Sequence, residues 1–537
     1  MKIYNNKMQI IRLIIFVITF FFTSPVKSLD KFNKSDRLSN YFSGILLLNE
    51  NKYEDSSKYL KKLNGLELSH QTYPVKYLYS LINSGNFKEA VNYSKKLKKK
   101  NFDILESYLI LGIFYLKNSN LDLAKKYFLK AKKKKSSFTF NNYISDSLYN
   151  WSKISNLKQA SSNLNKLDER FTNLKKIQNV FLYCFFDEPN TQTIFKEMIS
   201  DKNTDFSRYN YFYASYLVSI GRMNSAKEII NSALEFYPRN LLLNQFKIDL
   251  NKNKNILVFD CKKRQHIISE ILYITANALS SQAIYPLSNF YLNLAKYLNE
   301  NFISYDTLLA ENYYKNENFE EARKIYNNLS KNGEAYNWYS SRQLARILIL
   351  QNSEDEAYKL LSKSYNNLLN KELYETFDYA EFLKNSEKFE ESIKFYTEII
   401  NLVEKKHPLY SEATDGRGVA YERIGEWNKA EKDLLSSLDA KPDQAYVINY
   451  LAYSWIEKGI KVKKSLSMLE KANKLRSNDP YIIDSLGWAL FKLKRYQEAK
   501  KYLQLAVRLM PADPIVNDHY GDALWKTGHE IQARYYW

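Results

Sequence analysis

The residues that most often carry acid–base or metal chemistry are scattered through this 537-residue chain. Of the five histidines, only His519 and His529 lie within ten residues of each other, and no cysteine is near enough in sequence to complete a metal site. The chain contains no His-Glu-x-x-His pair, no glycine-rich phosphate loop and no Gly-x-Ser-x-Gly elbow. Asp479, Asp513 and Asp518 fall at turn or helix-start positions, where a carboxylate ordinarily caps a helix. We therefore predict no catalysis, no metal and no cofactor. An enzyme would need a cleft of ionisable residues assembled from distant positions.

Small residues recur with a period of 34, and this period indicates which secondary-structure elements make up the chain. Gly418, Ala452, Gly487 and Gly521 follow one another at steps of 34, 35 and 34 residues. A second small residue follows most of them twelve positions later, as Ala499 follows Gly487. The hydrophobic content of 45% supports a large core, whereas 13 Gly and 10 Pro are too few for a turn-rich β fold. A fixed period in this range is typical of stacked helical hairpins.

The clearest copy begins at Tyr481 and reads YIIDSLGWALFKLKRYQEAKKYLQLAVRLMPADP. Two apolar runs at helical spacing are joined by a short turn around Lys494, and the second run ends at a proline that cannot continue the helix. The residues small, small, large, small and proline occupy fixed offsets: Gly487, Ala499, Leu503, Ala506 and Pro511. This pattern resembles the tetratricopeptide repeat (TPR). The resemblance implies an all-α superhelical solenoid of roughly 12–14 hairpins in which each hairpin contacts only its neighbours.

The repeats divide the chain into five predicted segments. Residues 1–28 form a signal peptide, and 29–140 form basic N-terminal repeats. Residues 141–270 hold degenerate repeats with one clear copy near 208–240, followed by central repeats over 271–409 and regular C-terminal repeats over 410–537. The last hairpin stops early in its second helix, which indicates either a short cap or a truncated sequence.

The first 28 residues have the pattern of a secretory signal. A basic start precedes the ten-residue apolar run Leu13–Phe22, which contains Thr19 as its one polar residue, and the small residues Val26 and Ser28 suit a cleavage site before Leu29. A ten-residue run is too short to span a bilayer but matches the hydrophobic region of a signal peptide. We predict a periplasmic mature protein, with an uncleaved anchor as the alternative. No cysteine follows the run, which disfavours a lipid-modified form.

Positive charge is concentrated near the N-terminus. The net charge is +20, and residues 29–140 contribute 22 Lys or Arg against 10 Asp or Glu. The runs Lys95–Lys100 and Lys132–Lys135 fall at the ends of second helices, where cations suit the helix dipole. One interpretation is a solvated basic face. The other is a surface that binds anionic lipid or an acidic envelope polymer. Nucleic acid does not fit an exported chain.

The two cysteines lie in the two least regular regions. Cys184 and Cys261 are 77 residues apart. An oxidising compartment permits a bond between them, but consecutive repeats hold such distant residues apart. We therefore predict two unpaired thiols.

The TPR resemblance also implies where ligands bind, because in that family the first helix of each hairpin lines a concave groove. Carried onto the last three repeats, this geometry places a ladder of aromatics, one amide and several carboxylates in the groove. Tyr and Trp anchor protein partners well because they bury much area at low entropic cost. The alternative is that individual rings, such as Trp488 or Trp525, are core. The predicted protein-binding residues are Tyr446, Asn449, Tyr453, Tyr481, Asp484, Trp488, Asp518, Asp522 and Trp525.

The C-terminal third is similar to the end of a family of exported proteobacterial repeat proteins. The segments Tyr481–Tyr496 and Asp518–Trp537 carry most of this resemblance, and Ile268–Leu279 adds to it. One member of that family is an outer-membrane lipoprotein that binds and activates a carboxy-terminal processing protease. The resemblance implies a periplasmic adaptor that binds a protease or its substrates. The lipobox cysteine is missing here, so membrane tethering is not implied.

Overall fold

The computed structural model describes residues 34–134, 139–201, 203–252 and 257–537. The predicted leader, residues 1–28, and Lys135 of the second basic run lie outside the described residues. Within them the chain is an all-α solenoid of 29 α-helices and two short 3₁₀ turns, without strands, as predicted. The helices are α1 Lys34–Asn49, α2 Tyr53–Lys61, α3 Tyr73–Asn83, α4 Phe87–Lys99, α5 Leu105–Lys117, α6 Leu121–Lys133, α7 Thr139–Lys153, α8 Leu157–Asn165, α9 Thr172–Phe185, α10 Thr191–Ile199, α11 Ser207–Ser219, α12 Met223–Phe236, α13 Leu241–Asn251, α14 Arg264–Ser281, α15 Tyr285–Leu298, α16 Ser304–Lys315, α17 Phe319–Leu329, α18 Glu334–Leu350, α19 Glu354–Asn366, α20 Leu373–Asn385, α21 Phe389–Leu402, α22 Pro408–Arg423, α23 Trp427–Ala440, α24 Ala445–Glu457, α25 Val462–Leu475, α26 Pro480–Lys492, α27 Tyr496–Leu509, α28 Pro514–Lys526 and α29 Glu530–Tyr536.

The periodic small residues let the two helices of a hairpin approach closely. A Cβ atom added to Gly487 would lie 2.7 Å from Leu503 Cγ, and one added to Gly418 would lie 3.0 Å from Leu434 Cγ. Ala499 on the second helix is fully buried. The described helices pair into fourteen hairpins, with α13 left single, which agrees with the predicted number.

The chain forms two compact units. One contains the described residues up to Lys175 together with Lys263–Glu300, and the other contains Lys176–Lys262 together with Asn301–Trp537. In the first unit the hairpin α14–α15 does not continue a stack of sequence neighbours. It packs against α3, α5 and α7, the first helices of the N-terminal hairpins. The expectation that each hairpin contacts only its neighbours is therefore wrong for this hairpin.

Cys184 and Cys261 form a disulfide, which corrects the prediction of two free thiols. Their Cα atoms lie 5.9 Å apart, within the range that a disulfide requires. The prediction failed because it assumed regular stacking between the two residues. Instead, the non-helical residues 257–263, which precede α14, place Cys261 beside Cys184 at the end of α9. Ser215 donates a hydrogen bond to the carbonyl of Phe259 in the same segment.

None of the helices in the described ranges has both the length and the apolar character needed to cross a membrane.

Candidate functional site

The C-terminal groove is built on three stacked first helices, α24, α26 and α28. Helix α24 contacts α26, and α26 contacts α28, because equivalent residues of consecutive hairpins are 34 or 35 positions apart in the sequence. Asp479 caps α26 by accepting hydrogen bonds from the backbone of Tyr481 and Ile482, and Asp513 caps α28 in the same way. The capping role expected for these two carboxylates is confirmed. Asp518 instead lies inside α28 and is exposed.

Three apolar side chains at equivalent positions of these helices are exposed. The exposed fractions are 52% for Tyr446, 57% for Tyr481 and 58% for Ile515. Tyr446 is held in place, since its hydroxyl donates to Asp479 Oδ2 at 2.8 Å and the Arg476 guanidinium lies 4.7 Å from the ring centre. The hydrogen bond to Asp479 raises the pKa of Tyr446. We call Tyr446, Tyr481 and Ile515 the exposed ladder. Tyr446 and Tyr481 were predicted for this groove, and Ile515 was not.

Two other predicted residues are buried beneath the ladder. Trp488 is only 8% exposed, and its indole nitrogen donates to Glu457 Oε1 at 2.6 Å. Its ring stacks on His519 at 3.9 Å between ring centres and on Phe491 at 4.8 Å. Asp484 accepts a hydrogen bond from His519 Nδ1 at 2.9 Å when that nitrogen is protonated, and both side chains are buried. Trp488 and Asp484 therefore form the floor of the groove.

Tyr453 joins the same floor from α24. Its ring centre lies 6.4 Å from that of His519, and burial raises the pKa of Tyr453 to about 12. The structure thus brings together three predicted residues, Tyr453, Asp484 and Trp488. It adds His519, Glu457 and Phe491, which sequence reasoning missed.

The four remaining predicted residues do not join this floor. Asn449 on α24 is partly buried, and its side-chain oxygen accepts no hydrogen bond from the described residues. Asp522 on α28 is half-buried, and its pKa is raised by burial and by the charge of Asp518. Trp525 is exposed, with its ring centre 5.6 Å from that of Trp537. The predicted set therefore divides into two residues of the exposed ladder, three of the buried floor, Asn449 by itself on α24, and a separate group on α28.

The equivalent face of the N-terminal hairpins is covered by the chain itself. Phe290 of α15 is fully buried and contacts the Tyr79 ring with 4.9 Å between ring centres. The Asn83 side chain donates to the carbonyl of Pro286 at 3.1 Å, and Gln265 donates to the carbonyl of Leu116 at 3.3 Å. The hairpin α14–α15 thus covers the face that corresponds to the exposed face of α24, α26 and α28.

Several lysines of the basic runs are engaged in internal contacts. Lys96 and Lys100 lie 3.5 and 3.1 Å from the carboxylate of Glu67, which is fully buried. Burial alone would raise the pKa of Glu67, but a backbone hydrogen bond and the two lysines lower it below its ordinary value. Lys132 pairs with Asp146 at 2.9 Å. These charges neutralise carboxylates of the protein's own N-terminal repeats.

The described residues contain no group of three or more His, Cys, Asp or Glu side chains placed to hold a metal ion.

Comparison with known proteins supports the repeat assignment. Residues 299–536 and 105–133 match sequence models described as tetratricopeptide repeat. A TPR repeat-containing protein of Pseudomonas aeruginosa is 29% identical over 183 residues, which cover 33% of this chain and 29% of that relative's length.

Solved structures with local similarity include MamA from Desulfovibrio magneticus RS-1, with 17% identity and a TM-score of 0.28 over 30% of this chain and 90% of that one. YrrB, described as a TPR protein with an unusual peptide-binding site, has 17% identity and a TM-score of 0.27 over 31% of this chain and 83% of its own. By their sequence matches, residues 105–133 and 299–536 are tetratricopeptide repeats.

Proposed function

We propose that this protein is a non-enzymatic scaffold that binds a protein partner in its C-terminal groove. The exposed ladder carries the proposal. Tyr446, Tyr481 and Ile515 are each more than half exposed and recur at one-repeat spacing, so three consecutive hairpins each present one large side chain at the same position. Aromatic anchors of this kind supply much of the affinity in protein interfaces.

The buried floor supports the ladder by fixing the helices that carry it. Trp488 links α24 to α28, because it donates to Glu457 of α24 and stacks on His519 of α28. A groove with locked side chains loses little entropy when a partner binds. In this proposal Trp488 therefore positions the exposed ladder and does not itself contact the partner.

A pull-down from envelope extracts tests the groove. Tyr446→Ala combined with Tyr481→Ala should weaken partner recovery by more than about tenfold, because truncating an interface anchor typically costs about 2 kcal/mol. Tyr502→Ala is the matched control, since Tyr502 is 37% exposed on the second helix α27. Equal recovery with the double variant and the control, at unchanged helical content, would reject the groove.

We further propose that the protein works outside the inner membrane, as a periplasmic adaptor in envelope protein quality control or cell-wall hydrolase turnover. The signal-like residues 1–28 and the Cys184–Cys261 disulfide support this location, since disulfides persist in oxidising compartments. A carboxy-terminal processing protease or its substrates are the proposed partners, by resemblance. Amino-terminal sequencing of the native protein should begin near Leu29, and an intact start in a cytosolic fraction would contradict the proposal.

The alternative function, binding of an anionic envelope surface by the basic N-terminal repeats, receives less support. Lys96, Lys100 and Lys132 already pair with internal carboxylates, which leaves fewer cations for a lipid or polymer. Salt-sensitive binding to vesicles that contain anionic lipid would revive this alternative.

A further inference from the structure

A cavity of about 360 Å³ lies within the second unit, away from the C-terminal groove. Its walls come from α12, from α13 and the turn that leads into it, and from helices α18 and α20. Its volume falls in the range of small-molecule sites. The aromatic and charged side chains of these walls include Arg239, Trp338, Arg342, Tyr374, Glu375 and Asp378.

Two buried hydrogen-bond donors on one face of α18 have no acceptor. Trp338 is 4% exposed, and its indole N–H has no partner among the described residues. The Nε–H of Arg342, four residues further along the helix, is also buried and without a partner there. Both residues line the cavity. Buried donors are almost always paired in folded proteins, so two adjacent orphans indicate a missing acceptor.

Two guanidinium groups share one carboxylate beside these donors, although the cavity walls as a whole carry three cations against four carboxyl groups, Glu235 and Glu372 among them. Arg342 and Arg239 both pair with a single carboxylate, Asp378, with Arg239 Nη2 at 3.0 Å from Asp378 Oδ1. The Arg239 guanidinium also lies 5.3 Å from the centre of the Tyr374 ring, and the Arg239 side chain is half-exposed. Burial raises the pKa of Glu375 to about 7, so this second carboxyl is partly protonated at neutral pH. Among the described residues, Asp378 is thus the one carboxylate that forms an ion pair with either guanidinium group, and it is shared by both.

We propose that this cavity binds the oxyanion of a small ligand, a carboxylate or a phosphate, between the Trp338 indole N–H and the Arg342 guanidinium. The ligand oxygens accept from the two orphan donors. The half-exposed Arg239 side chain covers the anion from the solvent side. The site is independent of the exposed ladder, because its walls contain no residue of α24, α26 or α28.

The test is a titration of the protein labelled with 5-fluorotryptophan, followed by ¹⁹F NMR. The chain has seven tryptophans, so at most seven signals are expected, and the signal that Trp338→Phe removes is the one of interest. Sodium glutamate and sodium phosphate are the two probes, each against sodium chloride of equal ionic strength. Either probe should shift the Trp338 signal saturably, and the probe that binds more tightly identifies the oxyanion.

The variant Arg342→Lys keeps the positive charge and removes the Nε–H donor. It should weaken the titration by about tenfold, because a hydrogen bond between charged groups is lost. Arg346→Lys, the same change one turn further on the exposed face of α18, should leave the affinity within about twofold. Should Arg342→Lys fail to fold, calorimetry on Trp338→Phe replaces it, with the same weakening expected.

The absence of a saturable shift with both probes would overturn the proposal and would mean that water alone satisfies the donors. An unchanged affinity in Arg342→Lys, or in Trp338→Phe measured by calorimetry, would overturn it as well.

Discussion

The N-terminal and C-terminal hairpins share one repeat, but their inner faces differ. In the first unit the hairpin α14–α15 covers α3, α5 and α7, and its Phe290 is fully buried there. In the second unit α24, α26 and α28 expose Tyr446, Tyr481 and Ile515. The same helical geometry therefore buries its inner face in one region and leaves an exposed surface in the other, which we propose binds a partner. A repeat pattern alone does not say which hairpins bind.

The largest expected effect comes from opening the covered face. Phe290→Ala should destabilise α3 and α15 by about 3–5 kcal/mol, because it leaves a cavity in a packed core. Hydrogen exchange measured by mass spectrometry gives the local opening free energy of those peptides. Ile515→Ala is the matched large-to-small change on the open face, where we expect less than about 0.5 kcal/mol. Equal destabilisation by the two changes would contradict the difference between the covered face and the open face.

Overpacking one C-terminal hairpin should produce a smaller and confined effect. Ala499 is fully buried where α27 meets α26, so Ala499→Leu should cost about 1–3 kcal/mol. Faster exchange should appear in α26 to α29, with α3 and α15 unchanged. Gln504→Leu, at an exposed position of the same helix, serves as control. Faster exchange in the N-terminal peptides would show that the two regions are coupled.

A pH dependence should come from the second unit. Burial, with Glu381 and Glu412 nearby, raises the pKa of Asp415 from 3.8 to about 6. The protonated carboxyl thus favours the folded state below about pH 4, and this stability is lost as the pH rises through 6. Asp415→Asn should be more stable than the wild type at pH 7.5 by on the order of 1 kcal/mol. Urea unfolding at pH 4 and pH 7.5 measures this, and an equal difference at both values would contradict it.

The smallest effect is expected from the exposed basic run. Lys133→Ser combined with Lys134→Ser should change stability by less than about 0.5 kcal/mol and leave partner recovery unchanged. Lys100→Ser is the contrast, because it removes a partner of the buried Glu67 carboxylate and should cost more. Loss of the partner with the double variant would move the binding surface to the N-terminal repeats.

The fold followed from the 34-residue period, since small residues at fixed offsets allow only one close packing of paired helices. Part of the candidate site followed as well, because Tyr446, Tyr481 and the floor residues recur at equivalent positions. Burial of Trp488 depended on His519, which lies one repeat after Asp484. The 35-residue spacing equals one repeat and indicates that Asp484 and His519 lie on neighbouring first helices. The histidines were considered only as candidates for catalysis and metal binding, so His519 was not predicted as part of the groove.

Two other features depended on contacts that no local pattern encodes. The hairpin α14–α15 packs on helices about 150 to 200 residues earlier, as the Asn83–Pro286 and Gln265–Leu116 hydrogen bonds show. The Cys184–Cys261 disulfide depends on the non-helical residues 257–263, which place Cys261 beside the end of α9. The period predicts which residues face a groove, but tertiary contacts decide whether the groove is empty.

Site-specific photocrosslinking in living cells tests the difference between the two faces most directly. A benzophenone amino acid replaces Tyr481 on the open face in one variant and Tyr79 on the covered face in another. Position 481 should give adducts with a separate protein. Position 79 should crosslink within the chain to peptides of α15, where Phe290 lies. Partner adducts from position 79 and none from position 481 would contradict the account.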